Sequence, residues 1–433
     1  MKRIVASLVG LGLMGGLIVS APSASSAPVQ PADDWVPSQI QETKIPLNWS
    51  RATLEDQVTL DSMGRRPIVD GEKRVWILAC EREIQLDCVE SVGLVDENGV
   101  YGPGSFAAGR THDVYRSDGV KPYAEHVTLW RLPGLEIDGR QPLVVLAIGM
   151  GGNEGHGFSG MNMMTTLEGI PYRQSSPSDP YGCRGSDQGA CTAPPVFPEG
   201  TVMRVVLRTS WLAPSLITVR GEDVVSQVDD LGTGARRITI TGSPTLLQSQ
   251  GGMQEVISGR PQWVYSSFDF GMVDPRLSST PGGTCAVDDP ILISNNAQGA
   301  DIPTWSSSEG RLDLRVVSPH YWSDGSTEWR GFYETAISSW VARCMWGIDP
   351  RMTSYLSLEV YDEDGQEKAA TTAIGLRDGY VSIRAYDFTF SRNTISAQVN
   401  VKAGQRCFTK GVEMTGLTCA KKGKRLVWVK RKR

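Results

Sequence analysis

From Arg74 onward the chain is written in short β-rich runs separated by turn signals, and this texture constrains the fold more than any other feature. VWILA (75–79), SVGLV (91–95), HVTLWRL (126–132), PLVVLAI (142–148), MRVVLRTSW (203–211), LITVRG (216–221) and RRITITG (236–242) succeed one another. Between them stand Asp-Glu-Asn-Gly (96–99), Ser-Asp-Gly (117–119), Asp-Gly (138–139) and Gly-Thr-Gly (232–234), turn sequences whose glycines supply backbone conformations that hairpins need. Strands at this spacing, with no amphipathic helix between them, point to sandwiches rather than to a parallel sheet wrapped in helices. A second series begins at Trp263 and includes ILISNN, RLDLRVVS, YLSLEVY, YVSIRAYDFTFS and ISAQVNVKA. The expected fold is therefore all-β. It comprises a β-sandwich-like domain over 74–245, a second over 260–402, and a small disulfide-closed hairpin module over 403–433. One stretch is ambiguous: Phe332, Ala336, Trp340 and Cys344 repeat every four residues, as in a helix, amid dense β-branched and aromatic residues.

The amino end sets the compartment. Lys2 and Arg3 precede an apolar stretch from Ile4 to Val19, and small residues follow at Ala24, Ser25, Ser26 and Ala27. A charged segment, an apolar segment and a small-residue cleavage zone form a secretory signal, so residues 1–27 are expected to be removed. Residues 28–73 then form a proline-punctuated lead-in with one short helix near 52–63. No later stretch is long and apolar enough to span a bilayer. Export gives the eight cysteines a purpose, since an even count in an exported chain reads as disulfides. Eight cysteines allow 105 pairings, but proximity favours Cys80–Cys88, Cys183–Cys191 and Cys407–Cys419, leaving Cys285–Cys344. Each short loop closed this way stabilises by about 2–3 kcal/mol in the chain-entropy model. Zinc fits poorly: there is no C-x-x-C, and His112, His126, His156 and His320 are scattered. No metal or other cofactor is expected.

Three motifs look like chemistry. Gly155-His156-Gly157-Phe158-Ser159-Gly160 spells G-x-G-x-x-G, but a dinucleotide site needs its glycines at a strand-to-helix turn, and MNMMTTLEGIPY reaches Pro171 too soon for a crossover helix. A serine elbow would need Gly at 161, which is Met; Ser159 with His156 or His320 remains the alternative, a secreted hydrolase of glycan or ester bonds. The glycine burst is expected to be a loop. Asp362-Glu363-Asp364-Gly365 resembles the start of a calcium loop but breaks the ligand pattern at Gln366, so a hairpin turn is expected there. No catalytic residue is assigned.

The segment SPHYWSDGSTEWRGFYE (318–334) is the most site-like. Aromatic faces beside carboxylates suit sugars, because a ring offers a flat apolar surface and an acid accepts hydroxyl hydrogen bonds. Tyr321, Trp322, Asp324, Glu328 and Trp329 are the candidate glycan-binding residues. The competing reading is that the tryptophans pack a core.

Charge is distributed unevenly. The eight Lys and Arg of residues 421–433, set against a net −5, leave −13 for the rest of the chain. A basic tail on an acidic body makes nucleic acid a poor partner and anionic surfaces a good one. Lys421, Lys422, Lys424, Arg425, Lys430, Arg431, Lys432 and Arg433, with Trp428 as an apolar contact, are the expected anchoring residues. They would meet anionic cell-wall polymers or envelope lipids, at about 1 kcal/mol per cation near a charged surface; polysaccharide is a further candidate partner.

The same tail, AGQRCFTKGVEMTGLTCAKKGKRLVWVKRKR, resembles a short module at the ends of many secreted actinobacterial proteins. The positions that carry the resemblance are Cys407, Gly411, Gly416, Cys419, Gly423, Leu426, Val427 and Trp428. Through DCVESV, LRTSWLAP, SNNAQGADIPTW, SPHYWSDG and YDFTFS, the body is similar to uncharacterised secreted proteins of the same bacteria. The resemblance implies a cell-envelope protein and brings no known activity. Together these features lead us to expect a secreted, non-enzymatic envelope protein, structural or glycan-binding.

Overall fold

The computed structural model describes residues 42–45 and, with interruptions, 75–431; residues 1–41, 46–74, 115–122, 152–159, 176–183, 249–263 and 274–288 are among those outside it. The expected signal, the helix near 52–63, His156 and Ser159 therefore fall outside the described residues. The described chain is nearly all β, and among these residues no helix is long and apolar enough to cross a bilayer.

One twelve-stranded sheet runs through the molecule. Its order is Glu42–Ile45, Ser105–Val114, Tyr123–Arg131, Leu143–Gly151, Gly160–Glu168, Asp269–Val273, Leu216–Arg220, Ile291–Asn295, Arg330–Ser338, Tyr380–Thr389 and Thr371–Arg377, with Val75–Trp76 paired onto Leu143–Gly151. Neighbours are antiparallel except at the centre, where Leu216–Arg220 and Ile291–Asn295 run parallel with Leu216 opposite Ile291. The halves expected on either side of residues 245–260 are thus hydrogen-bonded into one sheet. Strand Asp269–Val273, from the second series, lies between two strands of the first.

Two five-stranded sheets accompany it. The first has the order Glu222–Gly232, Ala235–Ser243, Met203–Thr209, Cys88–Val95, Tyr101–Pro103. Val89, Val92, Met203, Val205, Ile238 and Ile240 on its inner face share a core with Val144, Leu146, Ile148, Ile217 and Phe270 of the long sheet. The second contains Gly299–Ala300, Arg311–Val317, Arg392–Val399 and Leu356–Tyr361, with Thr304–Ser306 paired onto Arg311–Val317. Leu312, Leu314, Val360 and Ile395 meet Ile291, Ile293, Tyr333, Ile337 and Ile383 in another core. Successive side chains of a strand point to opposite faces. Leu216 lies in the second core while Ile217 and Val219 lie in the first. The two cores therefore occupy opposite faces of the shared sheet.

The ambiguous stretch holds both structures. Arg330–Ser338 is a strand, and Ser339–Trp346 a helix whose amino end is capped by Ser338, which accepts from the Val341 amide at 3.2 Å. Gly347 ends the helix at φ +58° and returns its amide to Arg343. The turn at Asp362-Glu363-Asp364-Gly365 forms, with the Asp362 carboxylate accepting from the Asp364 and Gln366 amides at 3.0 and 2.8 Å. The chain pairs as a short hairpin across it, with Tyr361 bridged to Glu367 and the Lys368 amide donating to Val360 O at 2.7 Å. Only beyond that do the strands part: Leu356–Tyr361 joins Arg392–Val399, and Thr371–Arg377 joins Tyr380–Thr389. A tight turn fixes the reversal; each strand's apolar face then selects its sheet.

The carboxy-terminal module is a three-stranded sheet of Glu413–Met414, Leu417–Lys422 and Arg425–Lys430, closed by Cys407–Cys419. Cys80–Cys88 also forms. Cys344 is disulfide-bonded, but its expected partner Cys285 and the Cys183–Cys191 bridge involve residues outside the described set.

Candidate functional site

The glycine burst is bounded by two paired strands. Leu143–Gly151 returns as antiparallel Gly160–Glu168, with Gly151 opposite Gly160. A strand, not a helix, follows the glycines, so the context a dinucleotide fingerprint needs is missing. Asp362 and its neighbours spend their amides and one carboxylate on the turn, and among the described residues no group of three or more His, Cys, Asp or Glu converges on a metal position.

The aromatic segment folds as a short reversal: the Trp322 amide donates to Thr327 O and the Trp329 amide to His320 O, each at 2.8 Å. Tyr321 bridges to Glu328 and is 46% exposed. Glu328 is ion-paired with Arg330, while Asp324 lies outside the described residues. Trp329 corrects the expected set. It is only 2% exposed, belongs to the second core, and carries the half-buried Trp322 against it with ring centroids 4.2 Å apart. Its inward position follows from strand alternation, since Trp329, Gly331 and Tyr333 share the core face. A sugar finds Tyr321 here, but not a pair of tryptophan faces.

Trp428 needs a similar correction. It is completely buried in the second core, against Gly347 at the helix end. Phe408 N donates to Gly347 O, and Thr409 Oγ1 to Arg343 O, both at 3.0 Å. Trp428 is thus the peg that seats the module, and it cannot touch a surface. Lys421, Lys422, Lys424 and Arg425 are exposed around the turn of the Leu417–Lys422/Arg425–Lys430 hairpin, where Lys422 faces Arg425. Lys430 and Arg431 are exposed at its other end, and Arg431 pairs with Glu413 at 3.0 Å. Lys432 and Arg433 lie outside the described residues.

One site was not anticipated. The outer face of the first five-stranded sheet carries a concavity of about 520 Å³. Register builds it in rows. Val225, Thr241 and Arg204 lie abreast; next come Gln227, Thr239, Val206 and Ser91; then Asp229, Arg237 and Arg208. A β-bulge on Cys88–Val95 leaves Glu90 unmatched between Val89 and Ser91. Val89 and Val92 are both fully buried, so the bulge turns Glu90 and Ser91 together to the outer face. Glu90 Oε2 there accepts from Arg208 Nε at 2.9 Å and Arg237 Nε at 2.8 Å. This raises the Arg237 pKa, chiefly through the hydrogen bond to Glu90.

Tyr101 closes one end. A Cβ on Gly93 would sit 2.6 Å from the Tyr101 ring and 2.3 Å from Gly102 O, so the missing side chain is what lets the ring lie across the strand. The Tyr101 hydroxyl donates to Ser91 Oγ at 2.8 Å, and Arg204 stacks 4.9 Å above the ring centre. Burial raises the Tyr101 pKa and outweighs the opposing pull of the Ser91 hydrogen bond and Arg204. Arg204 Nε donates to Thr241 Oγ1 at 3.0 Å. The signal for this site lay in the alternation of MRVVLRT and RRITITG, which puts Arg204, Val206 and Arg208, and Arg237, Thr239 and Thr241, on single faces. No protein-family model matches the chain, and no curated protein is significantly similar to it.

Proposed function

We propose that the chain is an exported, non-enzymatic protein held in the cell envelope by its basic carboxy-terminal hairpin, which binds anionic wall polymers. The supporting observation is the turn of that hairpin. Lys421, Lys422, Lys424 and Arg425 are all exposed there, and residues 421–433 contain no acid to neutralise them. The Cys407–Cys419 bridge and the buried Trp428 hold the hairpin in place, so the charges are presented without the ordering cost of a free tail. Anionic lipid heads offer the same charge complementarity and serve as the comparison surface.

The test keeps the fold. Deleting the module would also remove Trp428 from the core and confound binding with stability. The variant K421Q/K422Q/K424Q/R425Q retains both the peg and the disulfide. Its co-sedimentation with isolated cell walls, and with anionic vesicles, is compared with that of the parent at low and high salt. The parent should bind walls at low salt and elute at high salt, and the variant should stay in solution. Equal retention of both proteins would discard the proposal.

A further inference from the structure

We infer that the concavity on the outer face of the first five-stranded sheet is a binding site for a saccharide bearing an anionic group, a carboxylate or a phosphate. It is independent of the basic hairpin. Its volume, about 520 Å³, lies within the range of small-ligand sites, about 300–1,000 Å³.

Charge favours an anion. Arg208 and Arg237 share the carboxylate of Glu90, and Arg204 adds a third cation. The rim acid Asp229, which accepts from Gln227 Nε2 at 2.8 Å, is the second carboxylate, so the three cations exceed the acids by one. Beyond its Nε bond to Thr241, Arg204 has no further hydrogen-bond partner among the described residues. Its terminal donors form the planar fork that carboxylate and phosphate oxygens accept in pairs. Tyr101 beneath and Thr241 beside it hold that fork in one orientation.

The neighbouring groups favour a polyol attached to the anion. The Thr239 hydroxyl has no hydrogen-bond partner among the described residues, and it stands between Gln227 and the 8%-exposed Val206. Hydroxyl and amide groups around an apolar floor match the alternating hydroxyls and C–H faces of a pyranose. Arg204 covers the outward face of Tyr101 and Gly93 lies under the other. Recognition is therefore by hydrogen bonds and charge, not by stacking a sugar on an aromatic ring.

The experiment is ligand-observed NMR with titration on the full-length protein carrying the four hairpin glutamines, so that hairpin and groove fail separately. The probes are glucuronic acid, its neutral methyl ester, glucose 6-phosphate, glucose and inorganic phosphate. At least one of glucuronic acid and glucose 6-phosphate should bind, and the tighter of the two identifies the anionic group. The tighter probe should bind about ten-fold or more better than its neutral counterpart, a gap that one charge-assisted bidentate contact supplies. R204Q should abolish that gap. T239V, which removes a hydroxyl with no protein partner, should weaken the anionic sugar while leaving the thermal melt unchanged. Three outcomes would overturn the inference: no anionic probe binds, the ester or glucose binds equally well, or inorganic phosphate alone matches glucose 6-phosphate. Binding unaffected by both R204Q and T239V would overturn the location.

Discussion

Leu216 and Ile217 are consecutive residues of one strand, both fully buried, yet Leu216 packs in the carboxy-terminal core and Ile217 in the amino-terminal one. The parallel neighbour repeats the pattern: Ile291 and Ile293 belong with Leu216, and Leu292 with Ile217. This pair of strands is apolar on both faces because each face is covered by a different five-stranded sheet. The cores are distinct but share a wall.

A shared wall predicts shared unfolding. Neither core can lose its packing on Leu216–Arg220 or Ile291–Asn295 without loosening the strands that the other needs. Calorimetry should show one transition rather than two, with fluorescence and circular dichroism changing together. A fragment of residues 74–245 should not melt cooperatively. It lacks Asp269–Val273, which sits between Gly160–Glu168 and Leu216–Arg220, and so leaves two open strand edges in the sheet.

Trp428→Ala should destabilise the whole protein by about 3–5 kcal/mol, the usual cost of emptying a large aromatic site. The ring joins the second core, so the loss should lower the main melting transition, not merely fray the carboxy terminus. Trp428→Phe should be tolerated far better, because the indole Nε1 has no hydrogen-bond partner among the described residues and its loss forfeits only apolar contact. Thermal melts of the two variants check the contrast.

Local signals carried much of the architecture. RLDLRVV alternates in burial as its letters alternate in polarity, and the cysteine pairs 80–88 and 407–419 lie close enough in the chain for proximity to favour them. Partner choice did not show in the sequence. Periodicity reports which face of a strand is buried, not which strand lies beside it, so the insertion of Asp269–Val273 had no local mark. The doubly buried run ILISN did carry one, since a strand covered on both faces loses its alternation. Aromatics misled at Trp329 and Trp428: charged neighbours made both look like surface residues, while alternation points each ring inward. The groove was hidden for another reason. Glu90 faces outward only because of a bulge, and a bulge exists only once two strands have paired.

Gly93→Ala tests how that groove is built. The new methyl would lie 2.3 Å from Gly102 O and 2.6 Å from the Tyr101 ring, so the strand pair or the ring must move. Overpacking of this kind costs about 1–3 kcal/mol. The displaced ring should release its hydroxyl from Ser91, and the phenol pKa, which burial holds above its usual value, should fall back toward that value. Ultraviolet titration of the tyrosines, alongside a denaturant melt, reads both effects.

Asp269 predicts a dependence of stability on pH. Its carboxylate is almost wholly buried; Oδ1 accepts from the Thr165 amide at 3.0 Å and from the Ser267 hydroxyl, while Oδ2 faces Arg220 Nη2 at 3.0 Å without a well-aligned hydrogen bond. Burial raises its pKa, and the opposing pulls of Arg220, Ser267 and Thr165 are smaller. A raised acid pKa means that the fold prefers the protonated form. The contribution is fully present below the ordinary carboxylate value, about 3.9, and is lost as pH climbs through the higher folded value. Asp269→Asn removes the titration and keeps the shape. The melting temperature of the parent relative to this variant should therefore decline as pH rises from 4 toward 7. A relative gain over that range would mean that the Arg220 ion pair outweighs burial.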